Sequence, residues 1–264
     1  MQLEAYLFIL IIGLMIGSFL NVCIYRIPRK ESIVFPSSHC FSCKNKLRLI
    51  DLFPVLSYIF LRGKCRYCGK LISIQYPLIE VLNSTVYLLL FLCFGISIKF
   101  VFYALLTSLL IVISSIDYYH QIIPGKLTLL VFIWGIIYKI YASFYMYSTF
   151  NLKSNIILVS SILGFLVGGG FYYLILIISK GNMGGGDIKL MAALGIWLGW
   201  EDTFIAIFIT FMLGAIISIL LLVTKIKSRK DPIPFGPFIV LGTLITIIYK
   251  QEALDLYFKI TNLF

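Results

Sequence analysis

Long apolar runs broken by short polar segments dominate the chain. They fall near residues 4–25, 76–95, 99–116, 127–147, 155–179, 188–200, 203–224 and 236–261. Within each run the apolar residues occupy every side of a helix rather than one stripe, the pattern of bilayer-crossing helices. The expected fold is an all-α polytopic membrane protein with about eight transmembrane helices. The sixth run is short, because a span needs about 20 residues. Parity is the reason to keep it. With it, the cluster Lys225, Lys227, Arg229 and Lys230 shares a face with the polar stretch 26–75; without it, the cluster lies on the face of the N-terminus. A re-entrant sixth segment is the alternative.

Composition supports the same class. Of 264 residues, 61% are hydrophobic and 12% charged, where a soluble domain carries about 25% charged residues. Mean hydropathy is +1.02. The net charge of +11 is unevenly spread: ten of the 22 Lys and Arg lie between Arg26 and Lys70, beside only Glu31 and Asp51. Basic loops next to apolar spans mark the cytoplasmic side, so loop 26–75, Lys126, Lys180 and Lys189 are expected there. No nucleic-acid partner is expected, since the charge records topology rather than a basic reading face. The start, Met1-Gln2-Leu3-Glu4-Ala5, has no basic segment, which predicts a retained first span with its N-terminus outside.

Loop 26–75 contains Cys40-Phe41-Ser42-Cys43 and Cys65-Arg66-Tyr67-Cys68. Two such pairs offer four thiolates to one tetrahedral zinc, and a full set of four sulfurs implies a structural site. Disulfides are the competing reading, disfavoured by a reducing cytoplasm. His39 is a spare ligand beside Cys40. Cys23 and Cys93 lie inside spans and read as packing residues.

Carboxylates at a membrane are a functional hypothesis by default, and Glu80, Asp117 and Asp187 are the acids placed at spans. Asp117 ends the third run and Asp187 begins the sixth, so both fall at one boundary. Two carboxylates at one depth can converge on a water; crowded together they share a proton. One would deprotonate the water while the other protonates a scissile carbonyl. Gly184-Gly185-Gly186 before Asp187 are expected to supply an active-site loop with positive φ, open to close approach by a substrate strand. The bland readings are a helix N-terminal acid for Asp187 and pairing of Asp117 with Lys126 or Lys189.

Taken together, several ordered segments resemble the type IV prepilin peptidases, membrane aspartyl proteases with a G-x-G-D motif. They are Gly17-Ser18-Phe19-Leu20-Asn21-Val22 with Tyr25-Arg26-Ile27-Pro28; Pro54-Val55-Leu56-Ser57-Tyr58; Arg62-Gly63-Lys64-Cys65-Arg66-Tyr67-Cys68; Tyr76-Pro77-Leu78-Ile79-Glu80; Gly184-Gly185-Gly186-Asp187-Ile188-Lys189-Leu190; and Pro234-Phe235-Gly236-Pro237-Phe238. The resemblance implies that Asp117 and Asp187 are the catalytic pair. It implies prepilin or pseudopilin precursors as substrates, with a short basic leader cut after glycine at the cytoplasmic face of a bacterial inner membrane. It also implies N-methylation of the new terminus with S-adenosylmethionine, on residues the sequence leaves unassigned. Residues 1–95 would then be the methyltransferase part with its zinc loop, and 96–264 the protease bundle.

The pattern departs at Pro124-Gly125-Lys126-Leu127-Thr128, where the family usually has Asp in place of Gly125. A helix cap is the expected role there, which glycine tolerates. Glu80 is either a polar group of the methyltransferase part or the partner of a loop arginine. Ser18 and Asn21 are expected to bond across helices, His120 to be solvated, and Trp197 and Trp200 to sit in an interfacial belt. Pro234-Phe235-Gly236-Pro237 is expected to break the chain beside the active site. A rival function is a proton-coupled transporter with Asp117 and Asp187 as relay carboxylates; another is a membrane-anchored zinc scaffold.

Overall fold

The computed structural model describes residues 2–150, 155–181, 183–228 and 231–261. Its helices are α1 (Gln2–Arg26), α2 (Leu56–Phe60), α3 (Gln75–Phe94), α4 (Ile98–His120), α5 (Gly125–Phe150), α6 (Asn155–Ile178), α7 (Gly185–Leu198), α8 (Trp200–Val223) and α9 (Gly236–Thr261), with a 3₁₀ turn at Leu49–Leu52. Among the described residues β structure is limited to two isolated bridges, His39 with Lys46 and Lys64 with Leu71. The expected runs therefore appear as helices, with ends within a few residues of the hydropathy breaks. Six of them, in α1, α3, α4, α5, α6 and α8, are long and apolar enough to cross a membrane. α7 has 14 residues, about 21 Å of helix, which is short of a hydrocarbon core about 30 Å thick. In α9 the apolar stretch is Gly236–Tyr249.

The chain separates into two compact units, Met1–Val112 and Ile113–Phe264. In the first, α1 packs on α3 through Gly13 and Gly17. A Cβ on Gly13 would stand 2.5 Å from the Cα of Ser84, and one on Gly17 would stand 2.7 Å from that of Glu80. This small-x-x-x-small spacing lets the two backbones touch. Polar groups then bond across the seam: Asn83 donates to the Gly13 carbonyl at 2.7 Å and Ser84 to Leu10 at 2.8 Å.

The second unit is built around α7, which packs against α5, α6, α8 and α9. Leu190 through Trp197 are all buried without a break. A helix that is apolar all round and surrounded by protein needs no lipid-facing stripe. Its neighbours carry the exposed apolar faces instead. Trp197 anchors it, donating from Nε1 to the Val131 carbonyl at 2.9 Å and stacking on Tyr138 with ring centroids 5.2 Å apart.

Candidate active site

Asp117 lies in the last turn of α4 and is buried, 5% exposed. Its Oδ2 accepts a 2.8 Å hydrogen bond from the backbone N–H of Gly236. The local sequence explains this donor. Pro234-Phe235 ends the preceding turn, α9 starts at Gly236, and a first-turn N–H has no partner within its own helix. A helix N-terminus also favours a negative charge beside it. A side chain here would intrude, since a Cβ on Gly236 would stand 2.7 Å from Asp117 Oδ2.

Asp187 is the third residue of α7, buried at 9% exposure. Gly184 caps the helix with extended backbone, φ −68° and ψ 132°. Its N–H turns back to the Asp187 carboxylate, one half of a capping-box arrangement. The helix-terminal role foreseen for Asp187 is therefore real, alongside its burial. The expected positive φ in the glycine run is not found: none of Gly184, Gly185 and Gly186 has it. The run is a helix entrance, and the missing side chains matter for space. A Cβ on Gly186 would stand 2.8 Å from the Ile123 Cβ, one on Gly184 would stand 3.0 Å from Asp187 Oδ2, and one on Gly185 would meet nothing within 4 Å.

The two carboxylates are near enough for the charge of Asp117 to act directly on Asp187. Among the described residues neither is paired with a lysine; Lys126 and Lys189 are both exposed, as is His120. Two buried acids within reach of each other's charge and without a lysine partner are costly to hold as a doubly ionised pair. This geometry suits a single shared proton.

Residues 11–94 match the Bacterial Peptidase A24 N-terminal domain, and residues 104–219 match the Type IV leader peptidase family. A protein of Bacillus subtilis named prepilin leader peptidase/N-methyltransferase is 31% identical over 94% of this chain and 96% of its own. A Legionella pneumophila protein of the same name is 33% identical over 96% and 94%. The chain belongs to the type IV leader peptidase family. No solved structure matches it. For a type IV leader peptidase the reading as a proton-coupled transporter has no support.

In the N-terminal part of this leader peptidase, the sulfurs of Cys40, Cys43, Cys65 and Cys68 lie within 4.8 Å of one another and could hold a metal ion. Two similar knuckles bring them there. In the first, Cys40 N–H donates to Asn45 and Lys44 N–H to Cys40; in the second, Cys65 N–H donates to Lys70 and Gly69 N–H to Cys65. The fifth residue of each knuckle has positive φ, 61° at Lys44 and 69° at Gly69. The backbone N–H of Cys43 helps pull the Cys40 thiol down to about 6, which favours the thiolate a metal binds. Asp51, from the 3₁₀ turn, clamps the second knuckle through Arg66 at 2.6 Å. Desolvation works against its charge, but the Arg66 guanidinium and the Arg48 N–H hold its carboxyl below the usual range.

Other expectations meet mixed outcomes. Ser18 and Asn21 do bond across helices, Asn21 to the Tyr76 carbonyl at 3.0 Å and Ser18 to Glu80. Glu80 has no loop arginine as partner; it accepts the Val55 N–H at 2.8 Å. Trp197 is buried at 1% exposure rather than interfacial, while Trp200 is 42% exposed. Trp197 sits opposite Gly135, where a Cβ would stand 2.6 Å from its indole nitrogen. Gly125 opens α5, and a Cβ there meets nothing within 4 Å, so the family's usual Asp would also fit. Arg26 has a structural role that its place in the basic stretch does not reveal. It is buried and ties the loop's start to α1, donating to Ser32 and Pro36 at 2.9 and 2.7 Å.

Proposed function

We propose that this chain is a membrane aspartyl endopeptidase that cuts the basic leader from type IV prepilin-like precursors after glycine, with Asp117 and Asp187 as its catalytic pair. The observation that carries the reading is that two buried carboxylates, on helix ends 70 residues apart in sequence, lie within reach of each other's charge, in the half matched by the leader peptidase family. One carboxylate takes a proton from water as its oxygen attacks the scissile carbonyl carbon. The other gives its proton to the carbonyl oxygen; as the tetrahedral diol collapses it takes a hydroxyl proton back, and the first carboxylate passes the proton it took from water to the leaving amine as the C–N bond breaks. The Gly236 N–H holds one Asp117 oxygen, directing the other toward the reaction.

The basic loop supports a multi-pass topology in a bacterial inner membrane with the site at the cytoplasmic face. The leader would lie in the cytoplasm and the precursor's apolar helix in the bilayer. We assign peptide cleavage to 96–264, and methylation of the new terminus with S-adenosylmethionine to 1–95. In that first part Asn83, Ser84 and Asn21 donate to helix backbone carbonyls between α1 and α3, and Asn21 Oδ1 is buried without a partner.

For the cysteine cluster the metal is zinc. A tetrahedral site with Zn–S of about 2.3 Å separates its sulfurs by about 3.8 Å, and Cys40 and Cys68 stand 3.8 Å apart. Four thiolates would fold the loop and leave no position open for catalysis.

The test is mass spectrometry of a prepilin incubated with purified wild type, Asp117→Asn and Asp187→Asn. Loss of the leader with wild type alone is expected, with about 14 Da (one CH₂) gained by the mature chain when methyl donor is added. Equal cleavage by either variant would sink the catalytic pair.

A further inference from the structure

α6 and α7 run antiparallel and meet where side chains are missing. A Cβ on Gly164 would strike the carbonyl of Gly195, and one on Gly168 would stand 2.6 Å from the carbonyl oxygen of Met191. Each step of four along α6 is answered by a step of four back along α7. The next step pairs Tyr172 with Asp187. Electrostatics agrees with the register, because the charge of Asp187 acts on the Tyr172 phenol.

Tyr172 is fully buried, at 0% exposure. Its ring lies against Phe211 and Phe235, with centroids 5.8 and 6.2 Å away. Phe235 immediately precedes the glycine that holds Asp117. The Tyr172 hydroxyl completes no hydrogen bond. Thr210 stands beside it and, having given its own proton to the Ala206 carbonyl at 2.7 Å, offers an oxygen that the phenol does not reach in hydrogen-bond geometry. A core role for the ring needs no hydroxyl: phenylalanine would pack as well without stranding a buried donor. Catalytic hydrogen bonds are often open in a free enzyme and close with substrate.

We propose that Tyr172 is a positioning residue of the peptidase site, its O–H closing onto the Asp187 carboxylate when substrate is bound and fixing which carboxylate oxygen faces the water. This rests on the assignment of Asp187 to the catalytic pair. Among the described residues the charge that acts on Asp187 is that of Asp117; Lys126 and Lys189 are exposed, and Glu201 and Asp202 lie in the first turn of α8, beyond the far end of α7.

The experiment compares full-length wild type, Tyr172→Phe, Tyr172→Leu, Asp117→Asn and Asp187→Asn on one prepilin, measuring kcat, KM and thermal midpoint. Tyr172→Phe is expected to lower kcat about tenfold, the worth of one hydrogen bond, with KM within about twofold and an unchanged or higher midpoint. Tyr172→Leu should lose kcat and also stability, since it empties the space between the phenylalanines. Wild-type kcat in Tyr172→Phe, or a loss carried by KM alone, overturns the proposal. If that occurs while both aspartate variants are inactive, only Tyr172 is misassigned. Activity in an aspartate variant removes the catalytic pair and this inference with it.

Discussion

Single atoms decide the behaviour of the glycines around the aspartates. Gly185 and Gly186 are neighbours in sequence, yet only Gly186 lacks room for a methyl group. Gly185→Ala is expected to leave cleavage within about threefold and to add slight helix stability, because alanine is the better helix former by about 1 kcal/mol. Gly186→Ala should force Ile123 aside, cost about 1–3 kcal/mol by overpacking and cut activity at least tenfold; steady-state cleavage and thermal unfolding of both variants check this. The thiols carry a pH prediction. A metal binds the thiolates, so protons compete for these ligands as pH falls. Release of zinc to an indicator should rise as pH drops from 7 to 5; retention at pH 5 would contradict it. In the knuckles, Gly69→Val should destabilise the loop by about 1–2 kcal/mol because its left-handed backbone resists a side chain, whereas Lys44→Gly should be neutral or stabilising.

The helices follow from the apolar runs because hydropathy is local: each run must satisfy its own backbone in lipid, and a helix does so within one segment. What the runs cannot contain is pairing between segments. Asp117 and Asp187 could be placed at one boundary from the ends of their runs, but the donor to Asp117 comes from Gly236, 119 residues on. The break at Pro234-Phe235-Gly236-Pro237 was legible; its hydrogen bond was not. Trp197 misled for a related reason: tryptophan at the end of an apolar run usually marks the interface, and only the packing of α5 against α7 reveals a buried anchor. The turn at Leu49–Leu52 and α2 also escaped notice, being too short to carry a period. Close helix approach yields a prediction at this scale. Gly13→Leu or Gly17→Leu should wedge α1 from α3 and lower the thermal midpoint of the purified protein, with a cost of about 1–3 kcal/mol or more; a midpoint unchanged in both would refute the contact.

At the scale of the molecule, the loop that brings Cys40, Cys43, Cys65 and Cys68 together carries the candidate metal site. If the four cysteines hold a metal, removing it with a chelator is expected to expose the ten Lys and Arg between Arg26 and Lys70 to trypsin, releasing a protected fragment that begins near Leu71. The metal-loaded protein should resist, because binding energy at such a site is also folding energy. Equal cutting with and without metal would sink the structural role. One further consequence comes from α4. The two compact units divide at Val112 and Ile113, inside a helix that runs unbroken from Ile98 to His120. A gene split at that point would leave each product with only part of that helix. A shorter peptidase carved from this one must inherit α4 whole, starting at the turn before Ile98. The seam along which such a chain can be divided or fused lies in the loop, not where the packing changes hands.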